Sequence, residues 1–199
     1  MKIVIATRNR KKLEEFKRLF EGSGIFIRSL EDFPCCPETI EDCDTFRGNA
    51  LKKAVEVSKY TGLAAVSDDS GLEVNALGGA PGVWSARYAG PGASDRDNLE
   101  KLLDRMRNVA PADRGGRFVC ALALSFPDGR VEIFEGTVDG YVTERSAGTG
   151  GFGYDPVFRP EGHERTFGEM TAAEKDSLSH RKKALDKLGG YLKIVTADK

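Results

Sequence analysis

Histidine and tryptophan are scarce in this sequence: His163 and His180 are the two histidines and Trp84 the single tryptophan. His163 lies in a Pro/Gly-rich loop and reads as solvated, while Trp84, in GGAPGVWSARYAG, reads as a packing residue. His180 precedes Arg181 at a helix start, where its ring is placed to stack on or hydrogen-bond a planar base. The four cysteines (Cys35, Cys36, Cys43, Cys120) lack the paired C-x-x-C spacing of a zinc site. They read as reduced, partly buried thiols of a cytoplasmic protein. No apolar run approaches the length of a membrane span, and MKIVIATRNR is too short and polar for a signal peptide. Charge of one sign is not in excess either, with 30 Lys+Arg against 31 Asp+Glu. That balance gives no global attraction to nucleic acid or membrane, so an anionic ligand needs a local site. No internal repeat or linker is visible, and residues 1–199 read as a single domain, built as two lobes.

Strand and helix patterns alternate through the first half. KIVIA is a compact apolar run, followed by a helix with Leu13, Phe16, Leu19 and Phe20 on one face. GIFIRSL reads as a second strand, Thr45 to Tyr60 as a second helix, and LAAVS as a short buried strand ending at Asp68-Asp69. GLEVNAL alternates and reads as a further strand or an extension. Ser94 with Asp97, and Thr171 with Glu174, have capping-box spacing. Two strand-like runs flank Pro127-Asp128-Gly129, a hairpin signal. The last helix starts near Ser177 or Ser179, with a disturbance expected at Gly189-Gly190. This order predicts an α/β protein with a mixed central sheet.

The run GTGGFG, Gly148 to Gly153, fits G-x-G-x-x-G. That fingerprint works between a strand and a helix, and here YDPVFRPEGHERTFGE follows, which does not read as a helix. The bland reading is a flexible hairpin loop. The alternative is a glycine-rich turn that presents Phe152, Tyr154 and Asp155 to a flat ligand.

Polar residues fall on apolar helix faces. At about 100° per residue, Asn9 and Lys12 lie on the side of Phe16 and Leu19. Lys53 falls within the Phe46–Ala50–Val57–Tyr60 stripe, and Arg181 within the Ala184–Leu188–Leu192–Val195 stripe. A buried cation needs an anion or must reach out to water. Internal salt bridges, to Asp68 and Asp69 for example, answer that need, and a shared anionic ligand answers it for all three together. A polar turn leading from strand to helix also leaves backbone N–H groups for an anion, with Thr7 and Asn9 adding side-chain donors and Lys12 adding charge. Asp68-Asp69-Ser70-Gly71 offers adjacent carboxylates that suit Mg²⁺ beside a phosphate, and equally common turn vocabulary.

Taken together, ATRNRKK, TFRGNALKKA, SDDSGLEVNALGGAPGVWSARYAG, AGTGGFGYDPVF and TAAEKDSLSHRKKAL span nearly the whole chain. In that order they resemble the inosine triphosphate pyrophosphatases, or XTP/dITP diphosphatases. The resemblance implies an α/β fold with an elongated mixed sheet flanked by helices, two lobes with a long active-site cleft, and a homodimer. It implies a Mg²⁺-dependent hydrolase that splits ITP, dITP or XTP into the monophosphate and pyrophosphate. Thr7, Asn9 and Lys12 match the phosphate-binding start, with Arg8, Arg10 and Lys11 in the same stretch, and Lys53 matches a further triphosphate contact. Arg8 stands where a small residue is common and is expected to point outward. Glu41 matches a metal-binding acid, and Asp69, with Asp68 beside it, matches the metal ligand and proton acceptor. Ser70 matches a substrate contact, Phe152, Gly153, Tyr154 and Asp155 the loop around the base, and Lys175, His180 and Arg181 the base-recognition end. Three other readings remain open here: a nucleotide-binding regulator without turnover, a pyrophosphatase of modified pyrimidines or of nucleotides in nucleic acid, and a dehydrogenase.

Overall fold

A computed structural model describes residues 1–197; the side chains of Leu19, Thr196 and Ala197, and therefore the expected place of Leu19 on its helix face, lie outside the described set. The strands are β1 (Lys2–Ile5), β2 (Phe26–Ser29), β3 (Ala64–Val74), β4 (Gly115–Ser125), β5 (Val131–Val142) and β6 (Phe158–Pro160). The α-helices are α1 (Arg10–Phe20), α2 (Phe46–Thr61), α3 (Asp95–Arg105), α4 (Ala172–Leu178) and α5 (His180–Ala197). The strands form one sheet in the order β2-β1-β3-β4-β5-β6. β1 runs parallel to β2 and β3, and β5 antiparallel to β6, so the sheet is mixed and the fold is α/β. The Pro127-Asp128-Gly129 signal is a tight turn, in which Phe126 N–H donates to the Arg130 carbonyl at 2.9 Å.

Two segments depart from the sequence pattern. The chain does not turn at Asp68-Asp69: β3 runs through DDSG as one 11-residue strand. α5 passes through Gly189-Gly190 without a break, because the apolar side chains on either side, Ala184, Leu185, Leu188 and Leu192, are anchored in one core. Trp84 also differs from expectation. It is 58% exposed, and the Arg87 guanidinium carbon lies 4.6 Å from its ring centroid.

The chain divides into two compact units, the first Met1–Asp69, Cys120–Gly136 and Arg181–Lys199, the second Ser70–Val119 and Thr137–His180. In the first, side chains alternate across the strands. Ile3, Ile5, Ala64, Val66, Cys120, Leu122 and Leu124 pack with Leu13, Phe16 and Phe20 of α1 and with the α5 residues. Val4, Ala6 and Ala65 pack instead with Val57 of α2. Thus α1 and α5 cover one face and α2 the other. The second unit has its own core, which includes Leu72, Val74, Leu102, Met106, Phe118 and Phe158. Both predicted capping boxes form, at Ser94/Asp97 and at Thr171/Glu174.

Candidate active site

The first unit gathers Lys12, Lys53, Asp68, Asp69, Glu41 and Arg181. Because β3 is continuous there, neighbouring residues point to opposite faces. Asp68 shares the face of Ala64 and Val66, toward α1 and α5. Asp69 shares the face of Ala65 and Ser67, toward α2, where the Ser67 hydroxyl donates to the Ala50 carbonyl at 2.5 Å.

On its own face Asp68 is saturated. Lys12 Nζ donates to Oδ1, Arg181 Nε to Oδ2 at 3.0 Å, and the Cys120 thiol to Oδ2 at 3.2 Å. Arg181 also pairs with Glu15 through Nη1. Arg181, Glu15 and Asp68 are all buried. Burial opposes the charges of Lys12 and Arg181, but Asp68, joined by Glu15 for Arg181, outweighs it and raises both pKa values. Such a network persists because each charge meets its opposite. Arg181, which the resemblance puts at the base-recognition end, braces Asp68 in this structure, because its guanidinium needs counter-charges once the helix face that carries it is buried. Lys53 pairs with Glu41 and donates to the Asp68 carbonyl at 3.2 Å. All three inward cations are therefore held by internal carboxylates.

Asp69 sits differently. Asn49 Nδ2, on the fully buried face of α2, donates to its Oδ2 at 3.1 Å. Burial pushes the Asp69 carboxyl up to about 6; Lys12 pulls it down and Glu41 pushes it up. A carboxylate held in that state favours the arrival of a cation. Among the described residues no group of three or more His, Cys, Asp or Glu side chains could hold a metal ion. Glu41 lies close enough to Asp69 to raise its pKa, and these two carboxylates are the oxygen donors that could hold a cation here. That suits Mg²⁺, which takes one or two carboxylates and completes its shell with water and phosphate. The period of the strand leaves Asp68 out of this set.

The helix start is less open to anions than its sequence implies. Asn9 is the N-cap of α1, and its Oδ1 accepts from the N–H groups of Lys11 at 3.0 Å and Lys12 at 3.2 Å. Thr7 Oγ1 accepts from Asn9 N–H at 3.2 Å. Arg8, Arg10 and Lys11 are exposed, as expected for Arg8, whose guanidinium donates to the Cys36 carbonyl at 2.7 Å.

In the second unit the glycine run is followed by a short 3-10 turn, Asp155–Val157, and then by β6, not by an α-helix. Its glycines permit close backbone packing. A Cβ on Gly148 (φ +78°) would lie 2.0 Å from the Gly168 carbonyl oxygen, and one on Gly151 (φ +69°) 2.1 Å from Asp155 Oδ2. Asp155 braces the loop: its Oδ2 accepts from Phe152 N–H and from Lys175 Nζ, each at 2.7 Å. Lys175 Nζ also lies 4.5 Å from the Phe152 ring centroid. Gly153 N–H donates to the Asp95 carboxylate at 3.0 Å. Tyr154 is buried at the end of this loop. It belongs to the core, donating to the Ser85 carbonyl at 2.9 Å, because a large ring with a satisfied hydroxyl gains most by burial. Phe152 and Ser70 are half-buried, and the buried His180 ring stacks on Phe118, with centroids 4.8 Å apart.

Sequence reasoning missed Glu15, Cys120 and Asn49. Glu15 follows Lys12 by one helical turn, and Asn49 precedes Lys53 by one, spacings that put each pair on one face. Cys120 gives no such signal, since it alternates with Leu122 and Leu124 as any core residue would.

The family model described as Ham1 family matches residues 3–191. The dITP/XTP pyrophosphatase of Bacillus licheniformis is 47% identical over 190 residues, covering 96% of this chain and 97% of that protein. Among solved structures, the Staphylococcus aureus Ham1 protein superposes with a TM-score of 0.87 at 37% identity, covering 97% of this chain and 98% of that one. The nucleoside-triphosphatase / dITP/XTP pyrophosphatase from Mycobacterium abscessus superposes with a TM-score of 0.78 at 46% identity, covering 94% and 98%.

Proposed function

The chain belongs to the Ham1 family, and from that premise we propose that it is a nucleoside-triphosphate pyrophosphatase acting on dITP, XTP and ITP. The products are the nucleoside monophosphate and pyrophosphate, so its role is to clear non-standard purine nucleotides from the cytoplasmic pool. The observation that carries the reading is the Asp69 face of β3: a buried carboxylate with a raised pKa, with Glu41, Lys53 and Lys12 close enough to perturb it. Raised carboxyl pKa values in such a cluster are typical of sites that handle protons and metals.

Asp69 and Glu41 would hold Mg²⁺, which when bound supplies charge neutralisation on the phosphates. Lys12 and Lys53 offer their ammonium groups to the phosphate oxygens, exchanging carboxylate partners for substrate. Asp69 Oδ2 is engaged by Asn49, which leaves Oδ1 to accept a proton from the attacking water. Asp68 stays with Arg181 and Cys120 as a brace when Lys12 turns to the phosphates.

Base choice falls to the second unit. A donor aimed at O6 accepts hypoxanthine or xanthine and meets another donor on adenine. The half-buried Phe152 ring offers a stacking surface, and Lys175 stiffens it from behind through Asp155. The homodimer belongs to this proposal through the family resemblance alone.

The test is pyrophosphate release from ITP, XTP, dITP, ATP, GTP and dTTP, with Mg²⁺ and with chelator. Fast Mg²⁺-dependent release confined to the hypoxanthine and xanthine nucleotides is expected. Equal rates on all six would overturn the base-selective part, and tight binding without release would favour a regulator.

A further inference from the structure

The loop that carries Glu41 has no helix or strand of its own, yet it is seated closely on α2. Thr45 caps the helix by accepting from Gly48 N–H at 3.0 Å, and Lys52 pairs with Asp42 at 2.7 Å. A Cβ on Gly48 would lie 2.8 Å from the Cys43 Cβ, so only glycine allows the loop this approach. At the centre of the contact is Asn49, fully buried. Its Oδ1 accepts from Cys43 N–H at 2.9 Å, and its Nδ2 donates to Asp69 Oδ2 at 3.1 Å. The amide can face only one way, because the backbone N–H has only a proton to give and a carboxylate only lone pairs.

We propose that Asn49 is a positioning residue that sets both metal-side carboxylates at once. One end of its amide fixes the rotation of the Asp69 carboxylate, directing Oδ1 rather than Oδ2 outward. The other end fixes the loop, and with it Glu41, at a set height on α2. Lys53, one helical turn further on, completes the same face through its pair with Glu41. The inference rests on the reading that Asp69 and Glu41 hold Mg²⁺. It adds a residue whose role is orientation without contact to metal or substrate. Outer partners of this kind typically set metal affinity by about 10- to 100-fold.

The experiment measures equilibrium binding of Mn²⁺ alone, by electron paramagnetic resonance, for the unaltered chain, Asn49→Ala and Asn49→Ser, with cooperative melting checked for each. Steady-state kinetics on ITP at saturating Mg²⁺ accompany it. For Asn49→Ala the Mn²⁺ dissociation constant is expected to rise about tenfold or more, with kcat reduced and KM for ITP nearly unchanged. Asn49→Ser, which keeps a donor, should fall between the two. An unchanged Mn²⁺ constant in a folded Asn49→Ala variant would overturn the positioning role. If the unaltered chain binds no Mn²⁺ and releases no pyrophosphate, the reading beneath it fails instead. Should neither variant melt cooperatively, the unaltered chain decides: its Asn49 side-chain amide signal in the ¹⁵N spectrum is expected to shift with the midpoint of Mg²⁺ binding, and a signal that stays still contradicts the role.

Discussion

On one face of β3, Asp68 accepts from Lys12, Arg181 and the Cys120 thiol; on the other, one residue along, Asp69 has the Asn49 amide as its hydrogen-bond donor and a pKa raised by burial. The two carboxylates are adjacent in the chain and chemically identical. A period-two strand sends them to different helices, and the helices decide what each can do. Where two cations and a thiol converge, the carboxylate is locked as a brace. Where burial and a second carboxylate outweigh the pull of Lys12, Lys53 and one amide, the pKa is raised and the group is ready for a cation or a proton. The proposed function accordingly places the chemistry on the face where burial leaves the charge least compensated.

Several substitutions should break or sharpen this contrast. Asp69→Asn is expected to lower kcat on ITP by about a thousandfold or more while the protein still melts cooperatively, since a proton acceptor and a metal carboxylate are lost together. Near-normal pyrophosphate release by that variant would contradict the division of labour. Asp68→Asn is expected to cost about 3–5 kcal/mol of stability, read from urea midpoints, because Lys12 and Arg181 would lose the charge that compensates them.

The third prediction concerns pH. Asp69 titrates at about 6 in the fold against a usual 3.8 for an aspartate, so between those values the folded chain holds a proton that the unfolded chain releases. Its favourable contribution is therefore fully present below pH 3.8 and is lost as the pH rises through 6. Without added metal, Asp69→Asn should recover up to about 3 kcal/mol at pH 7 and flatten that part of the stability curve. Urea melts at intervals from pH 4 to pH 8 (roughly the interval over which the linkage acts) would show it, and a variant less stable than the parent at pH 7 would contradict it. Smallest of all, Cys120→Ala should remove about 1.5–2 kcal/mol, the low end for one hydrogen bond to a charged group because a thiol is a weak donor, without touching metal binding.

Much of the fold could be read from periodicity and caps, because those signals are local. The helices at Arg10–Phe20 and Phe46–Thr61, the capping boxes at Ser94 and Thr171, and the hairpin at Pro127–Gly129 all depend on residues a few positions apart. Asp68-Asp69-Ser70-Gly71 was harder, since its composition speaks for a turn while its neighbours in the sheet hold it extended. Once it is a strand, the opposite facing of the two aspartates follows. The site was legible in its cations: Lys12, Lys53 and Arg181 stand out on apolar faces. Of their partners, Asp68 could be read as a salt-bridge acceptor, while Glu15 could not, because it lies 166 positions from Arg181. The burial of Tyr154 was hidden for a related reason. An aromatic in a glycine run resembles a ligand platform, and its burial is decided by Ser85, 69 residues earlier.

The most direct test is the Mn²⁺ affinity of Asp68→Asn beside that of Asp69→Asn, measured below each variant's melting transition. The account predicts that Asp68→Asn, although less stable, keeps an affinity close to the parent's, while Asp69→Asn loses metal binding. Loss of binding in Asp68→Asn, or its survival in Asp69→Asn, would contradict the claim that the two faces of β3 divide bracing from chemistry.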